Sequence, residues 1–117
     1  MTTYPAVVSR TADPYHATVT WTLTGAGTGL PVAMPGYRLR SITIKGTFNS
    51  GTVTVLGGND DAQAETAVGI KDRSGSAIST AAAAFYGLPE APQWLYPSAT
   101  AATSIIVTAY YERSIGA

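Results

Sequence analysis

Residues 16–24 read His-Ala-Thr-Val-Thr-Trp-Thr-Leu-Thr, and this stretch limits the fold more tightly than any other. Ala17, Val19, Trp21 and Leu23 alternate with Thr18, Thr20, Thr22 and Thr24. Successive side chains of a strand point to opposite faces, so this period of two predicts an extended segment with one buried and one threonine-lined face. A slip of one residue would expose Trp21, so the pairing register is well specified. Gly25-Ala26-Gly27-Thr28-Gly29 is expected to break the strand as a flexible turn.

The same signals recur downstream. Ile42, Ile44 and Phe48 share one face of the longest predicted strand, Tyr37 to Asn49, with Ser41, Thr43, Lys45 and Thr47 on the other. Arg38 and Arg40 lie in phase with the isoleucines, which predicts that this end leaves the core. Asn49-Ser50-Gly51 reads as a hairpin connection, returning through Thr52 to Gly57 with Val53 and Val55 inward. Short strands are expected at Thr66 to Lys71, Ala77 to Thr80 and Gln93 to Tyr96, the last ending at Pro97. Residues 81–84 are four alanines, too few to nucleate a helix cheaply, and are read as strand or loop. Thr103 to Glu112 is apolar on both faces, as in a central strand or one with an inner and an intersubunit face.

About seven to nine short strands with frequent turns predict an all-β fold, an antiparallel β-sandwich or barrel of jelly-roll or immunoglobulin-like type. The 117 residues correspond to one domain. Residues 1–15, with Pro5 and Pro14, form a possible N-terminal arm or an edge strand at Tyr4 to Ser9. Residues 114–117 read as a loose tail.

Composition narrows the function. Seven basic and seven acidic side chains cancel, whereas a nucleic-acid binder usually carries a basic excess to neutralise phosphate, so no nucleic-acid partner is expected. Cysteine is absent, which removes disulfides and thiolate metal sites and fits assembly in a cytoplasm. Neither a signal peptide nor a run near the roughly 20 apolar residues of a membrane span is visible, so no membrane partner is expected. Only 12% of residues are charged. A threonine-rich, charge-poor surface suits a protein packed against neighbours, although β-proteins favour threonine in any case.

Catalytic chemistry finds little support. His16 is the single histidine and falls on the threonine face. A Ser–His pair needs the base within reach of the serine and a third group to orient it, and no motif surrounds Ser9, Asp13 and His16. Asn59, Asp60, Asp61 and Glu65 offer oxygen atoms for calcium, but their spacing does not match an EF-hand loop. The glycines at 25–29 lack the Gly-Lys-Ser/Thr of a phosphate-binding loop. Neither a cofactor nor an enzyme activity is expected. Trp94, Tyr96, Tyr110 and Tyr111 are candidates for a ligand-stacking platform, for core or for an interface, while Trp21 belongs in the core.

Gly46-Thr47-Phe48-Asn49-Ser50-Gly51-Thr52-Val53-Thr54-Val55-Leu56-Gly57-Gly58-Asn59-Asp60 resembles a pattern of small tailed-bacteriophage virion proteins, G-T-F-x-x-G-T-V-T-V-x-G-S-N-D. A D-x-x-G-x-A-I stretch follows, matched by Asp72 to Ile78. An aromatic-P-x-x-T step is matched by Tyr96 to Thr100, and a final apolar strand by Ser104 to Thr108. Gly58 replaces the usual serine, and the next loop lacks the usual aromatic. The resemblance implies a capsid cement or decoration protein, often a homotrimer, that binds the outer shell and bridges major capsid protein subunits to stabilise the head. It would be made in the host cytoplasm and reside on the virion's capsid surface. The alternatives are a minor head or tail structural protein, or a carbohydrate- or ligand-binding β-module. No catalytic residue carries over. Contact residues expected from predicted exposure are Tyr4 and Tyr15 in the arm, Asn59 and Asp60 in the loop Gly58–Glu65, and Phe85, Tyr86 and Trp94 in the loop Phe85–Trp94.

Overall fold

The computed structural model describes residues 2–10, 15–34, 36–58, 68–72, 74–87 and 94–113. Among them run twelve strands and no helix: β1 (Thr2–Tyr4), β2 (Ala6–Arg10), β3 (His16–Leu23), β4 (Gly27–Gly29), β5 (Val32–Ala33), β6 (Arg38–Thr47), β7 (Val53–Gly58), β8 (Val68–Gly69), β9 (Ser79–Thr80), β10 (Ala84–Gly87), β11 (Trp94–Ala99) and β12 (Ser104–Glu112). The count exceeds the expected number because several strands are only two or three residues long. One sheet has the order β10-β6-β12-β3-β2. The other runs β1-β4-β11-β7-β8, with β5 beside β11 and β9 beside β7. All pairings are antiparallel except β1 with β4. The molecule is an all-β sandwich.

The alternation in β3 emerges as predicted, with Ala17, Val19, Trp21 and Leu23 fully buried. They meet Ile42 and Ile44 of β6, Ile105, Val107 and Ala109 of β12, and Val53, Val55 and Leu95 from the opposing sheet. Burying a side chain of this size contributes about 1.5–3 kcal/mol relative to exposure. The Trp21 indole crosses the core and its Nε1–H donates to the Leu30 carbonyl at 2.9 Å. A buried tryptophan must satisfy that donor, and here it does so by tying one sheet to the segment between β4 and β5 of the other.

Four local expectations are corrected. Strands β6 and β7 form no hairpin: β6 pairs with β10 and β12, and β7 with β8, β9 and β11. The turn itself is tight, with Asn49 at φ 51° and Ser50 at φ 60° and the Gly51 N–H donating to the Phe48 carbonyl at 2.8 Å. It nevertheless carries the chain from one sheet to the other. The β11–β12 connection crosses at the same corner and takes up the groups a hairpin would use: the Thr103 N–H donates to the Thr47 carbonyl at 3.1 Å and the Thr100 N–H to the Thr52 carbonyl at 3.0 Å.

The arginine end of β6 does not leave the core. The pairing of β6 with β12 skips from Tyr110↔Ser41 to Tyr111↔Leu39, so Arg40 is the extra residue of a bulge. The bulge changes the parity of the strand. Leu39 and Ile42 both face inward while Arg38 and Arg40 stay exposed.

Glycines 27 and 29 are buried within β4 rather than forming a flexible turn. A Cβ on Gly29 would collide with the Trp21 indole and the Pro97 ring. Pro97 also lies inside β11 rather than ending it, pairing with Val55. On the other side of β11 the neighbouring strand is interrupted between β4 and β5, opposite Tyr96 and Pro97, and a residue without an N–H is tolerated at such a break.

For residues 2–10 the edge-strand alternative holds and not the arm. They contribute β1 to one sheet and β2 to the other, changing sheets at Pro5. The rest of the expected arm, 11–14, and the tail, 114–117, lie outside the described residues.

Candidate functional site

The threonines opposite the core residues of β3 belong to the outward face of the five-stranded sheet. One row crosses all five strands in register, Phe85–Thr43–Thr108–Thr20–Val7. A second runs Gly87–Ser41–Tyr110–Thr18–Ser9, and a third runs Lys45–Ile106–Thr22. The positions in β3 and β12, and Thr43 in β6, follow from strand parity, because their neighbours on either side are buried; Ser41 and Lys45 are placed by their pairing with β12. Apart from Lys45 at the margin of the third row, these rows carry hydroxyl and apolar groups. The two rims of the face expose Phe85 at 70% and Val7 at 65%.

At the end of the face away from Lys45 stands a charged row, Arg38–Glu112–His16. His16 Nε2 lies 3.8 Å from Glu112 Oε2, and its ring stacks on Tyr110 with centroids 5.6 Å apart. The pair stands on an open sheet face, both side chains partly exposed. A general base needs a reacting atom held within its reach, and a flat face does not enclose one. Among the described residues no three His, Cys, Asp or Glu side chains gather to hold a metal ion.

The contact residues expected from the sequence are dispersed. Tyr4 is half-buried and packs against the core. Tyr15 is half-buried, and its carbonyl accepts from the Arg113 N–H at 2.8 Å. Phe85 is exposed on the outward face, whereas Tyr86 packs partly against the core. Trp94, expected to be exposed, is 2% exposed and stacks on Tyr96 at 6.1 Å with planes 3° apart. That burial agrees with the core alternative for Trp94 and not with its choice as an exposed contact residue. Tyr111 is likewise buried, facing inward from β12. Asn59 and Asp60, with Asp61 and Glu65 of the candidate calcium set, lie outside the described residues.

In fold the chain is similar to the SPBc2 prophage-derived protein YomS. The two share a TM-score of 0.57 at 7% sequence identity, over 87% of this chain and 98% of YomS. The cupin domain of Schizosaccharomyces pombe Cnp3 is also similar, with a TM-score of 0.50 at 5% identity over 93% of this chain and 60% of that one. No protein-family model matches the chain, and no curated protein matches it in sequence. These likenesses concern the fold: a two-sheet β architecture of this size occurs in a prophage-derived protein and in a cupin domain.

One further feature, the hydrogen-bonded turn at Asp72, went unread in the sequence. Asp72 accepts at Oδ1 from the Ser74 N–H at 2.9 Å, the Ser74 hydroxyl at 2.7 Å and the Ser76 N–H at 3.1 Å. These bonds, the Ser74 hydroxyl foremost, hold its carboxyl below the usual carboxylate range, because they favour the charged form. The turn lies beside β10 and shares an open depression with it. Only the turn signal at Asp72-Arg73-Ser74-Gly75 was legible. Its position beside Phe85 is a tertiary fact.

Proposed function

We propose that this chain is a non-enzymatic structural protein of a tailed-phage particle, a capsid cement or decoration protein that docks on the outer shell. The observation that carries this reading is the charge-free centre of the five-stranded sheet's outward face, with Thr20, Thr43, Thr108 and Ile106 between the exposed side chains of Val7 and Phe85. Hydroxyl and apolar groups lose less on desolvation than charges do, so such a face can be covered at low cost. The sequence resemblance over residues 40–112 and the likeness in fold to a prophage-derived protein support the same reading.

Strand spacing and rise put the face at about 600 Å², below the ~800 Å² each partner contributes to a standard interface. A single contact of this size is weak. Many identical copies, each bridging neighbouring major capsid protein subunits, would add up through avidity. A homotrimer would multiply each attachment in the same way, on a protein made in the host cytoplasm and carried on the virion.

The test is addition of purified protein to bare capsids of its phage. Co-sedimentation and a higher capsid disruption temperature are expected. Thr108→Arg, which places a charge in the centre of the face, should abolish both while leaving the far-UV spectrum intact. Binding that Thr108→Arg does not affect would remove the face from the proposal. Failure of the unaltered protein to bind would sink the cement role and leave a minor head or tail position to be sought on whole particles.

A further inference from the structure

An open depression of about 210 Å³ lies between the Asp72–Ser76 turn and β10, lined by Asp72, Ser74, Phe85, Tyr86 and Gly87. Strand β10 is the outermost strand of its sheet among the described residues. The depression lies at this rim, outside the threonine-lined centre of the face, and shares only Phe85 with the surface on which the shell-docking proposal rests.

Its lining combines two unlike groups. Phe85 offers a phenyl ring to solvent, 70% exposed. Asp72 offers a carboxylate whose orientation is set before any ligand arrives: its three bonds from Ser74 and Ser76 all end on Oδ1. None of the three ends on Oδ2. The Ser74 hydroxyl has committed its proton to Asp72, so it presents lone pairs. Among the described residues the lining is rich in acceptors and flanked by an aromatic ring.

We propose that this depression binds one neutral pyranose residue of a glycan, with Phe85 stacked on the sugar's C–H face and Asp72 accepting from its hydroxyls. A pyranose presents both halves of the required complement, an apolar C–H face and a rim of hydroxyl donors. Hydroxyl bonds to an ionised carboxylate are shorter and stronger than neutral ones, and a pre-oriented acceptor loses little entropy on binding. Anionic ligands are disfavoured by Asp72. A cationic side chain is the nearest competitor, but three donors already compensate the carboxylate, and phenylalanine is a weaker cation partner than tryptophan. The volume falls below the ~300 Å³ at which pockets for drug-sized ligands begin, as suits one sugar ring.

The experiment is an amide NMR titration of the full chain with the methyl pyranosides of glucose, galactose and mannose, and separately with arginine. Dissociation constants on the order of 1 mM or weaker are expected for so open a site. At least one sugar should shift the amides of residues 74–76 and 84–87. Phe85→Ala and Asp72→Asn should each weaken that sugar about tenfold or more. Phe85 is exposed, so its loss spares the core, and asparagine retains the oxygen that accepts within the turn. Thr108→Arg, which tests shell docking, should leave sugar binding unchanged. Shifts produced by arginine alone, by no sugar at all, or equally in Phe85→Ala would overturn the proposal.

Discussion

Thr52 and Thr100 are joined by two hydrogen bonds, the Thr52 N–H donating to Thr100 Oγ1 at 2.9 Å and the Thr100 N–H to the Thr52 carbonyl at 3.0 Å. The pair locks together the two connections that cross between the sheets at one corner. It replaces the pairing that β6 and β7 would otherwise make with each other. Thr100→Val removes the acceptor and should cost about 0.5–1.5 kcal/mol, the net value of one such bond. Thr100→Ser should cost less than half as much. Urea denaturation of the three proteins checks this, and equal midpoints for Val and wild type would show that the side-chain bond contributes nothing.

The same corner is closed sterically. A Cβ on Gly51 would run into the backbone of Ala101, which is held in place by the Thr100 and Thr103 bonds on either side. Gly51→Ala should therefore destabilise the fold by about 1–3 kcal/mol, the usual range for overpacking. Gly75→Ser, at an open turn where an added Cβ meets nothing within 4 Å, should lower the thermal midpoint less, although its φ of 86° is unfavourable.

Gly29→Ala strikes the Trp21 indole and should disturb the one bond that ties Trp21 to Leu30. A loss of about 1–3 kcal/mol is expected, accompanied by a red shift and weakening of Trp21 fluorescence. Measuring it in a Trp94→Phe background isolates that signal. An unchanged emission maximum would mean that the two sheets separate without affecting the indole.

Tyr111 is buried from β12, and burial pushes its phenol above the ordinary value of 10.0. Its folded-state pKa exceeds its unfolded value, so its contribution is fully present below about pH 10 and is lost as pH rises beyond that, where the unfolded chain sheds the proton first. Wild type should therefore lose stability relative to Tyr111→Phe between pH 9 and 11, to be read from urea midpoints. Parallel curves for the two proteins would remove Tyr111 as the source.

The bulge at Arg40 makes a prediction about deletions. Removing Arg40 leaves Leu39-Ser41-Ile42, which alternates in, out, in and matches the faces already observed. Removing Thr43 instead makes Ile42 and Ile44 adjacent and forces one into water. The first deletion should give soluble protein with a wild-type far-UV spectrum, and the second should not. Failure of both would show that the bulge has a packing role beyond parity.

Parity was the most legible property of this chain. The inward residues of β3, the outward threonines, the place of His16 among them and the turn chemistry at Asn49-Ser50-Gly51 all follow from neighbours a few positions away, because a strand alternates its faces locally. The outward face of the five-stranded sheet was therefore half-readable: its composition was visible in each strand, but not the in-register row from Phe85 to Val7. Partner choice was not readable. Whether β6 pairs with β7 or hands the chain to another sheet depends on where Thr100 and Thr103 arrive. The burial of Gly29 depends on Trp21 and Pro97, and the meeting of Asp72 with Phe85 depends on the path between β9 and β10. The local pattern determined which side of each strand is apolar. The tertiary structure decided which strands share those sides, because pairing energy is gained only between segments brought together by the whole chain.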